Sequence, residues 1–387
     1  MSERDARTGD EDDVKLRSRK GRALPGASDF LSTELKRLQD EYSSTSYNKA
    51  TNKHLGILRA KIAKVKRGIE AAGKHKAGTG FFVKKSGDAT VALVGFPSAG
   101  KSSLINRLAN TQSKTAAYAF TTTSLIPGMF TYRNARIQVF DLPGIIEGAH
   151  IGAGGGRTVL AAAKMADLIV FVVDIAEPGQ LDIILAELNG LDVFINRPMP
   201  DISIQDSHNQ GLVLEINESG LSKKSIEMIF SGFNRYNSVV RIRQRIGEDE
   251  LIAMLSGRSC YINAIVALNK IDTDASYDAV ASEISRRDAI DVVPISATTG
   301  KNISLLTRSI YDNLHIMTVL LQPKGAVQAE PMVVREGATV LEVARRIHTK
   351  FAEGVKYAYI TGPSAKFGNQ RVGAGHILRD GDVISFG

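Results

Sequence analysis

One glycine-rich segment has the residue types and spacing that hold phosphate groups. It reads Gly95-Phe-Pro-Ser-Ala-Gly100-Lys101-Ser102, and it lies between the apolar run 91–94 and a helical pattern. Glycines let backbone N–H groups approach phosphate oxygens, and a helix start adds a favourable dipole. We expect Lys101 to reach the β- and γ-phosphates and Ser102 to offer its hydroxyl to Mg²⁺. The segment therefore predicts the phosphate loop of a nucleotide site.

A second motif predicts which base the site accepts. Asn269-Lys-Ile-Asp272 follows the apolar run 264–268. The carboxylate of Asp272 can accept hydrogen bonds from N1–H and N2–H₂ of guanine, a donor pair that adenine lacks, and discrimination by such groups is large. Ser296-Ala297-Thr298 follows the next apolar run, and the Ala297 amide can donate to guanine O6. These motifs predict a guanine nucleotide and disfavour an ATP-dependent enzyme.

The residues between and beside these motifs are expected to sense the γ-phosphate. Asp141-Leu-Pro-Gly144 follows a strand pattern, which suits the carboxylate to Mg²⁺ and the Gly144 amide to the γ-phosphate. Upstream lies Tyr118-Ala-Phe-Thr-Thr-Thr123, in which Thr122 is the preferred ligand of Mg²⁺ and Thr121 the alternative. The predicted catalytic residues are Lys101, Thr122 and Gly144, and the predicted metal ligands are Ser102, Thr122 and Asp141. The predicted nucleotide-binding residues are Gly95, Pro97, Ser98, Ala99, Gly100, Lys101, Ser102, Ser103, Phe120, Thr121, Thr122, Asp141, Gly144, Asn269, Lys270, Asp272, Ser296 and Ala297.

The residue after Gly144 predicts slow intrinsic hydrolysis. Many GTPases have a glutamine there that orients the attacking water, but this chain has Ile145, which cannot form a hydrogen bond. Another group or ion must then supply that function. Arg157, which follows a glycine-rich stretch at 152–156, is either an intrinsic arginine finger or a surface arginine.

The elements that position these motifs form an α/β fold. Short apolar runs alternate with helical patterns from residue 89 onward, as in a parallel sheet with buried strands. About 90 residues separate the strand ending at Asp174 from the next one, whereas a crossover takes about 30. A small α+β domain is therefore expected as an insertion. After Pro323 a strand, a helix capped by Thr339 and further strands predict a β-grasp domain.

The N-terminal part carries the positive charge of the chain. Residues 1–30 hold seven basic and seven acidic side chains, whereas residues 31–76 hold eleven basic and four acidic ones. Two helical stripes, with leucines at 31, 35 and 38 and then at 55 and 58, predict a helical hairpin in this basic stretch. Lys61, Lys64 and Arg67 fall off the apolar stripe, so the hairpin suits a polyanion such as RNA; the alternative is a solvated helix face.

These patterns divide the chain into six segments. We expect a flexible tail at 1–27, a basic helical hairpin at 28–76, the first part of the nucleotide domain at 77–177, the insertion with part of a crossover at 178–260, the second part of the nucleotide domain at 261–322 and the β-grasp domain at 323–387.

The composition excludes several classes of protein. The chain has 387 residues with a net charge of +8, and no run of 18 apolar residues predicts a membrane span. The N-terminus lacks the apolar stretch of a secretory signal. Cys260 is the single cysteine, which excludes an internal disulfide framework and fits a cytoplasmic protein.

The motifs, their order and their flanks resemble the developmentally regulated GTP-binding protein family, whose relatives are the Obg GTPases. The likeness runs from about residue 48 to residue 387. The stretches that carry it are Gly95-Phe-Pro-Ser, Ala116-Ala-Tyr, Ile126-Pro-Gly, Asp141-Leu-Pro-Gly-Ile-Ile-Glu-Gly-Ala and Tyr261-Ile-Asn-Ala-Ile-Val-Ala-Leu-Asn-Lys-Ile-Asp, followed by Arg346-Ile-His, Val355-Lys-Tyr-Ala and Gln370-Arg-Val-Gly.

This resemblance implies a P-loop GTPase with an N-terminal helical hairpin, an insertion like a domain of a ribosomal protein, and a C-terminal TGS domain. It implies GTP, GDP and Mg²⁺ as ligands, ribosomes or RNA as partners through the hairpin and the TGS domain, and a protein activator or stabilising partner. Ala119 and Thr123 depart from the usual pattern, as does the glycine-rich stretch, which has fewer basic residues. Some related GTPases recruit K⁺ through an asparagine where this chain has Ser98, so potassium stimulation stays open.

Two functions of different classes follow from the sequence. The first is a switch that hydrolyses GTP on ribosomes in translation. The second, the alternative, is a scaffold that binds RNA or ribosomes, with a structural nucleotide and negligible turnover; Ile145 keeps it open.

Overall fold

The computed structural model describes residues 27–46, 52–73, 85–110, 128–141, 156–207, 211–217, 220–257, 259–322 and 328–387. Its helices are α1 (Ala27–Ser44), α2 (Asn52–Gly73), α3 (Lys101–Asn110), α4 (Gly156–Met165), α5 (Gln180–Gly190), α6 (Lys223–Gly232), α7 (Glu248–Ser256), α8 (Tyr277–Asp288), α9 (Ile303–Asn313), α10 (Val340–Ile347) and α11 (Thr349–Gly354). Its strands are β1 (Ala89–Val94), β2 (Gly128–Tyr132), β3 (Ala135–Asp141), β4 (Leu168–Asp174), β5 (Val193–Ile195), β6 (Ile202–Asp206), β7 (Leu212–Ile216), β8 (Ser238–Ile242), β9 (Cys260–Asn269), β10 (Asp291–Pro294), β11 (Ile316–Leu321), β12 (Glu330–Arg335), β13 (Tyr357–Thr361), β14 (Gln370–Gly373) and β15 (Val383–Phe386). The chain divides into two compact units, Met1–Thr79 with Pro200–Ser259 and Gly80–Met199 with Cys260–Gly387.

The larger unit is built on a sheet with the strand order β10-β9-β4-β1-β3-β2, in which β5 also pairs with β9. All of these pairs are parallel except β2 with β3. Every residue of β1 is buried, because apolar clusters cover both faces of the sheet. The predicted α/β fold with a parallel sheet is confirmed.

The antiparallel strand β2 was missed from the sequence. It forms a hairpin with β3 through Arg133 and Asn134, whose φ angles are 47° and 66°. Two successive residues with positive φ make the tight turn that suits a twisted hairpin, and glycine at the second of these positions is the usual signal. Because asparagine stands there instead, the turn was not recognised.

The C-terminal sheet has the order β12-β11-β15-β13-β14 and packs on α10, as expected for a β-grasp domain. The Thr339 side chain accepts a hydrogen bond from the Glu342 amide, which confirms the predicted cap. The helix predicted after Thr339 is followed by a second short helix, because His348 is extended at φ −165° and separates α10 from α11.

This C-terminal domain contacts the large sheet at the amino ends of its strands. Arg346 reaches Asp88, immediately before β1, at 3.2 Å, and Arg335 reaches Asp167, immediately before β4, at 3.5 Å. The hydroxyl of Thr318 donates to the carbonyl of Arg133 at 3.0 Å. The carboxyl ends of the parallel strands lie at the opposite edge of the sheet, where the predicted motifs follow them.

The smaller unit combines the N-terminal hairpin with the insertion. α1 packs on α2, and a three-stranded sheet with the order β6-β8-β7 packs on α6 and α7. Ala63 of α2 is buried in the same apolar cluster as Phe230 and Leu251 of the insertion. A Cβ on Gly232 of α6 would lie 2.7 Å from Cβ of Ala60 of α2, so glycine is needed at this contact between the two helices.

Several expected boundaries differ from the structure. β11 pairs with β12 along its whole length and belongs to the C-terminal sheet, although residues up to 322 were assigned to the nucleotide domain. α5 and β5 belong to the larger unit, since β5 pairs with β9; they are the crossover that the expected segment 178–260 included, and the insertion itself begins near residue 200. Helix α7 was missed, and Ala27, expected in the flexible tail, begins α1. The rest of that tail, 1–26, lies outside the described residues.

Candidate nucleotide site

The predicted motifs meet at the carboxyl edge of the parallel sheet. β1 ends at Val94 before the glycine-rich segment, β3 ends at Asp141, and β9 ends at Asn269. Strand β10 leads into Ser296, which is buried. Ligands of open parallel sheets bind at this edge, because loops from neighbouring strands converge there.

The glycine-rich segment folds as a tight loop that opens α3. Ser98 and Gly100 have φ angles of 65° and 96°, and the Leu104 amide donates to the Gly100 carbonyl at 2.9 Å. The ammonium of Lys101 donates to the carbonyls of Gly95 and Phe96, at 2.9 and 3.0 Å. The loop thereby holds its own lysine at the start of the helix, where a phosphate is favoured.

Asn269 joins this loop to the base motifs. Its Nδ2 donates to the Ala99 carbonyl at 2.8 Å, and its Oδ1 accepts from the Ala297 amide at 3.0 Å. A Cβ on Gly100 would collide with Nδ2 of Asn269, so this approach also requires glycine. The Ala297 amide, expected to meet guanine O6, is thus already a donor to Asn269, and a bound base would share it or take a neighbouring amide.

Asp141 has the environment of a cation ligand. Within the described part of the chain, its buried Oδ1 has no hydrogen-bond partner, and Nζ of Lys101 lies 4.0 Å away. Burial raises the pKa of the Asp141 carboxyl, and the charge of Lys101 opposes that rise. Ser102 is exposed in the first turn of α3. An unsatisfied carboxylate oxygen and an exposed serine hydroxyl are oxygen groups of the kind that Mg²⁺ takes as ligands.

The two ends of the base motif have different surroundings. The ammonium of Lys270 pairs with Asp174, at the end of β4, at 2.6 Å. Asp272 is exposed, and a hydrogen bond from the Ser296 hydroxyl lowers the pKa of its carboxyl. Asp272 is therefore ionised near neutral pH and open to a ligand.

Two residues that contact the site were missed from the sequence. Asp174 accepts a hydrogen bond from Lys270. Its position at the end of β4, a strand that ends at this edge, was the sequence signal that could have identified it. Arg107 lies in the last turn of α3, and its Nε donates to the carbonyl of Ala297 at 3.1 Å. No motif marks Arg107, because an arginine near a helix C-terminus is common.

Several predicted residues are not placed by the structure. Phe120, Thr121, Thr122, Gly144 and Ile145 lie outside the described residues. Arg157 lies in α4, but its side chain is not described. By contrast, the structure places two other predicted residues: Pro97 lies in the phosphate loop and Ser103 in the first turn of α3, and both are exposed.

The smaller unit presents the basic helix predicted to contact RNA. Lys61 and Lys64 of α2 are exposed, while Leu55, Leu58 and Ala63 of the same helix are buried. Arg59 of α2 donates to the Tyr42 hydroxyl at 2.7 Å and to Glu248 of α7 at 3.3 Å. The hairpin is thus held to the insertion, and Lys61 and Lys64 remain exposed to solvent.

Among the described helices, none has a stretch long and apolar enough to cross a membrane.

Comparison with family models matches three regions. Residues 90–199 match the 50S ribosome-binding GTPase family, residues 211–316 match the C-terminal region of that domain, and residues 317–386 match the TGS domain.

Whole-chain relatives cover nearly the full length. A GTP-binding protein of Methanocaldococcus jannaschii is 38% identical over 360 residues, which cover 92% of each chain. The developmentally-regulated GTP-binding protein 1 homolog of Dictyostelium discoideum is 37% identical, over 92% of this chain and 98% of its own. Developmentally-regulated GTP-binding protein 1 of Xenopus laevis is 37% identical, over 90% and 96%.

Similarity to solved structures is weaker. The YchF GTPase of Schizosaccharomyces pombe is 14% identical with a TM-score of 0.48, over 79% of this chain and 99% of its own. The G domain of the FeoB iron transporter of T. maritima is 21% identical with a TM-score of 0.34, over 58% and 98%.

Proposed function

The chain belongs to the family of developmentally regulated GTP-binding proteins, and we propose that it hydrolyses GTP as a switch on ribosomes. The family resemblance found in the sequence is thereby confirmed, as are a GTPase domain and a TGS domain. The chain is a GTP-binding GTPase. The observation that carries the site assignment is the bridge from Asn269 to both Ala99 and Ala297, because it joins the phosphate loop to the base motifs.

In the proposed site each group has one task. Lys101 would exchange its bonds to the loop carbonyls for the β- and γ-phosphates, and the amides from Gly95 to Ser103 would bind phosphate oxygens. Asp272 would accept from N1–H and N2–H₂ of guanine, as its exposure and ionised state allow. The pair of Asp174 and Lys270 would hold the lysine stem beside the base.

The donor set at Asp141 supports Mg²⁺ as the cofactor. Ser102, Asp141 and Thr122 are the proposed ligands, the unpartnered Oδ1 of Asp141 being the evidence from the structure. Bound Mg²⁺ would neutralise charge on the β- and γ-phosphates. The chain's own contribution is to keep a carboxylate beside Lys101 in a partly buried place.

The switch itself is proposed from the sequence. GTP would order the segments around Thr122 and Gly144, and hydrolysis would release them. Ile145 cannot orient water, so intrinsic turnover is slow and depends on an activator, on Arg157 or on K⁺ near Ser98. If none of these raises turnover, the same residue favours the scaffold function with a structural nucleotide.

Ribosomal RNA or tRNA is the proposed partner. The exposed Lys61 and Lys64, the basic balance of residues 31–76 and the ribosome-binding description of the matching GTPase family support it. The TGS domain is the second proposed contact. We also propose a cytoplasmic location and a protein that activates or stabilises the chain.

Co-sedimentation with ribosomes tests the proposal. The purified protein is mixed with ribosomes in excess GDP or in a non-hydrolysable GTP analogue, and the ribosome pellet is analysed. A switch gives more bound protein with the analogue than with GDP. Equal binding in both nucleotides contradicts a switch, and no binding in either contradicts a ribosomal role.

A further inference from the structure

Arg107 connects the helix of the phosphate loop to the loop after β10. It lies in the last turn of α3, and Lys101 is the first residue of the same helix. Its Nε donates to the Ala297 carbonyl at 3.1 Å, and its Nη2 donates to the Thr298 carbonyl. One side chain therefore binds two consecutive carbonyls of the loop that carries Ser296 and Ala297.

These contacts fix the loop more firmly than a single hydrogen bond would. A guanidinium is planar, always charged and carries its donors in a rigid fork. Bound to two successive carbonyls, it sets the orientation of the two peptide planes to which those carbonyls belong. Gly300, at φ 86°, closes the same loop, and a Cβ there would lie 3.7 Å from the Arg107 guanidinium, so the side chain packs under the turn.

We propose that Arg107 is a positioning residue for guanine recognition: by holding the Ala297 carbonyl, it orients the peptide that carries the Thr298 amide and so aims this amide at the 6-oxo group of the base. This inference rests on the proposed guanine site. Arg107 acts through the loop carbonyls and does not itself contact the nucleotide. Because α3 begins at Lys101 of the phosphate loop, Arg107 at its other end couples the position of the phosphate loop to that of the loop 296–298.

Nucleotide analogues separate this role from general support of the fold. Affinities for GDP, 6-thioguanosine 5′-diphosphate and inosine 5′-diphosphate are measured for the wild type, Arg107→Ala and Arg107→Lys. The thio analogue weakens the acceptor at position 6 only, and inosine lacks the 2-amino group that Asp272 would bind. Arg308→Ala is the control, since Arg308 is a largely exposed arginine of α9 that pairs with Asp312 at 3.5 Å.

The wild type should bind GDP about fivefold more tightly than the thio analogue, the worth of about one hydrogen bond. In Arg107→Ala this ratio falls toward one, while the ratio of GDP to inosine diphosphate stays as in the wild type. Arg107→Lys keeps the positive charge and a hydrogen-bond donor, so it should recover part of the ratio of GDP to the thio analogue. Arg308→Ala should change neither affinity ratio.

The proposal is overturned if Arg107→Ala weakens GDP and the thio analogue by the same factor, or weakens neither. If Arg107→Ala does not fold by circular dichroism, Arg107→Gln decides by the same ratio. Wild-type protein that binds none of the three nucleotides contradicts the guanine site, which is a different failure.

Discussion

Asn269 and Ala99 are joined by a buried hydrogen bond of 2.8 Å, which connects the end of strand β9 to the phosphate loop. The other end of the same carboxamide accepts from the Ala297 amide at 3.0 Å. One side chain, 2% exposed, thus holds three loops at one edge of the sheet. The geometry of the site depends on this residue before any nucleotide binds.

Asn269→Ala removes both bonds and leaves a buried carbonyl and a buried amide without partners. The free energy of unfolding should fall by about 2 kcal/mol, and GDP affinity by more than about tenfold. Chemical denaturation and calorimetric titration measure the two effects. Asn313→Ala is the control, because the Asn313 side chain donates to Asp291 and to the Ser309 carbonyl, away from this edge. Equal loss of GDP affinity in both variants would contradict the role of Asn269.

Asp272→Asn should change base preference from guanine to xanthine. The asparagine NH₂ faces the 2-amino group of guanine as a second donor, so GDP affinity should fall by at least about tenfold. The same NH₂ can donate to the 2-oxo group of xanthine, which would repel the carboxylate, so the affinity for xanthosine diphosphate should rise. Competition between the two nucleotides measures the exchange. Asp274→Asn, an exposed neighbour whose carboxylate accepts from Ser276, should leave preference unchanged. Unaltered preference in Asp272→Asn would refute the assignment of the base motif.

Ser102→Ala should abolish the effect of Mg²⁺ on nucleotide release. In the wild type, chelation of Mg²⁺ should speed GDP dissociation, because Ser102 and Asp141 would hold a cation that offsets the charge of the phosphates. Stopped-flow release of a fluorescent GDP is compared with and without chelator. In chelator the two proteins should release GDP at similar rates. A Mg²⁺ effect of wild-type size in the variant would exclude Ser102 as a ligand.

Reversing the charge of Lys61 and Lys64 should weaken RNA binding. Each phosphate contact that is lost should reduce the slope of log affinity against log salt by about 0.7 to 0.9. Lys223→Glu with Lys224→Glu, on α6 of the same unit, makes the same change of charge at another place. Binding of ribosomal RNA across a salt series measures both. If the two double variants behave alike, only total charge matters and the hairpin is a solvated face.

Local pattern was sufficient to predict most of the fold and the nucleotide motifs. Buried parallel strands have continuous apolar runs, such as 168–173, and the phosphate loop has its glycines at fixed places, so both can be read without tertiary information. The carboxyl edge follows from parallel pairing alone. Asp141, Asn269 and Ser296 were expected at one site because each belongs to a motif that suits a part of a guanine nucleotide.

Contacts between elements distant in sequence were not predictable. Arg107 binds the loop at 297–298, and Ala63 packs with Phe230, yet no local pattern links these pairs. The hairpin β2–β3 was missed for a different reason, since its turn uses Asn134 where glycine is the familiar signal. The boundary at 322 was placed too late because β11 looks like any apolar strand until its partner β12 is known.

The measurement that tests the central claim most directly is multiple-turnover GTP hydrolysis by the purified protein with Mg²⁺, in K⁺ and in Na⁺, with and without ribosomes. A switch on ribosomes predicts slow turnover alone, because of Ile145, and clear stimulation when ribosomes are added. A higher rate in K⁺ than in Na⁺ would support a K⁺ ion near Ser98, and equal rates would exclude stimulation by K⁺. Tight GTP binding with the same slow turnover in the presence and absence of ribosomes would contradict the account.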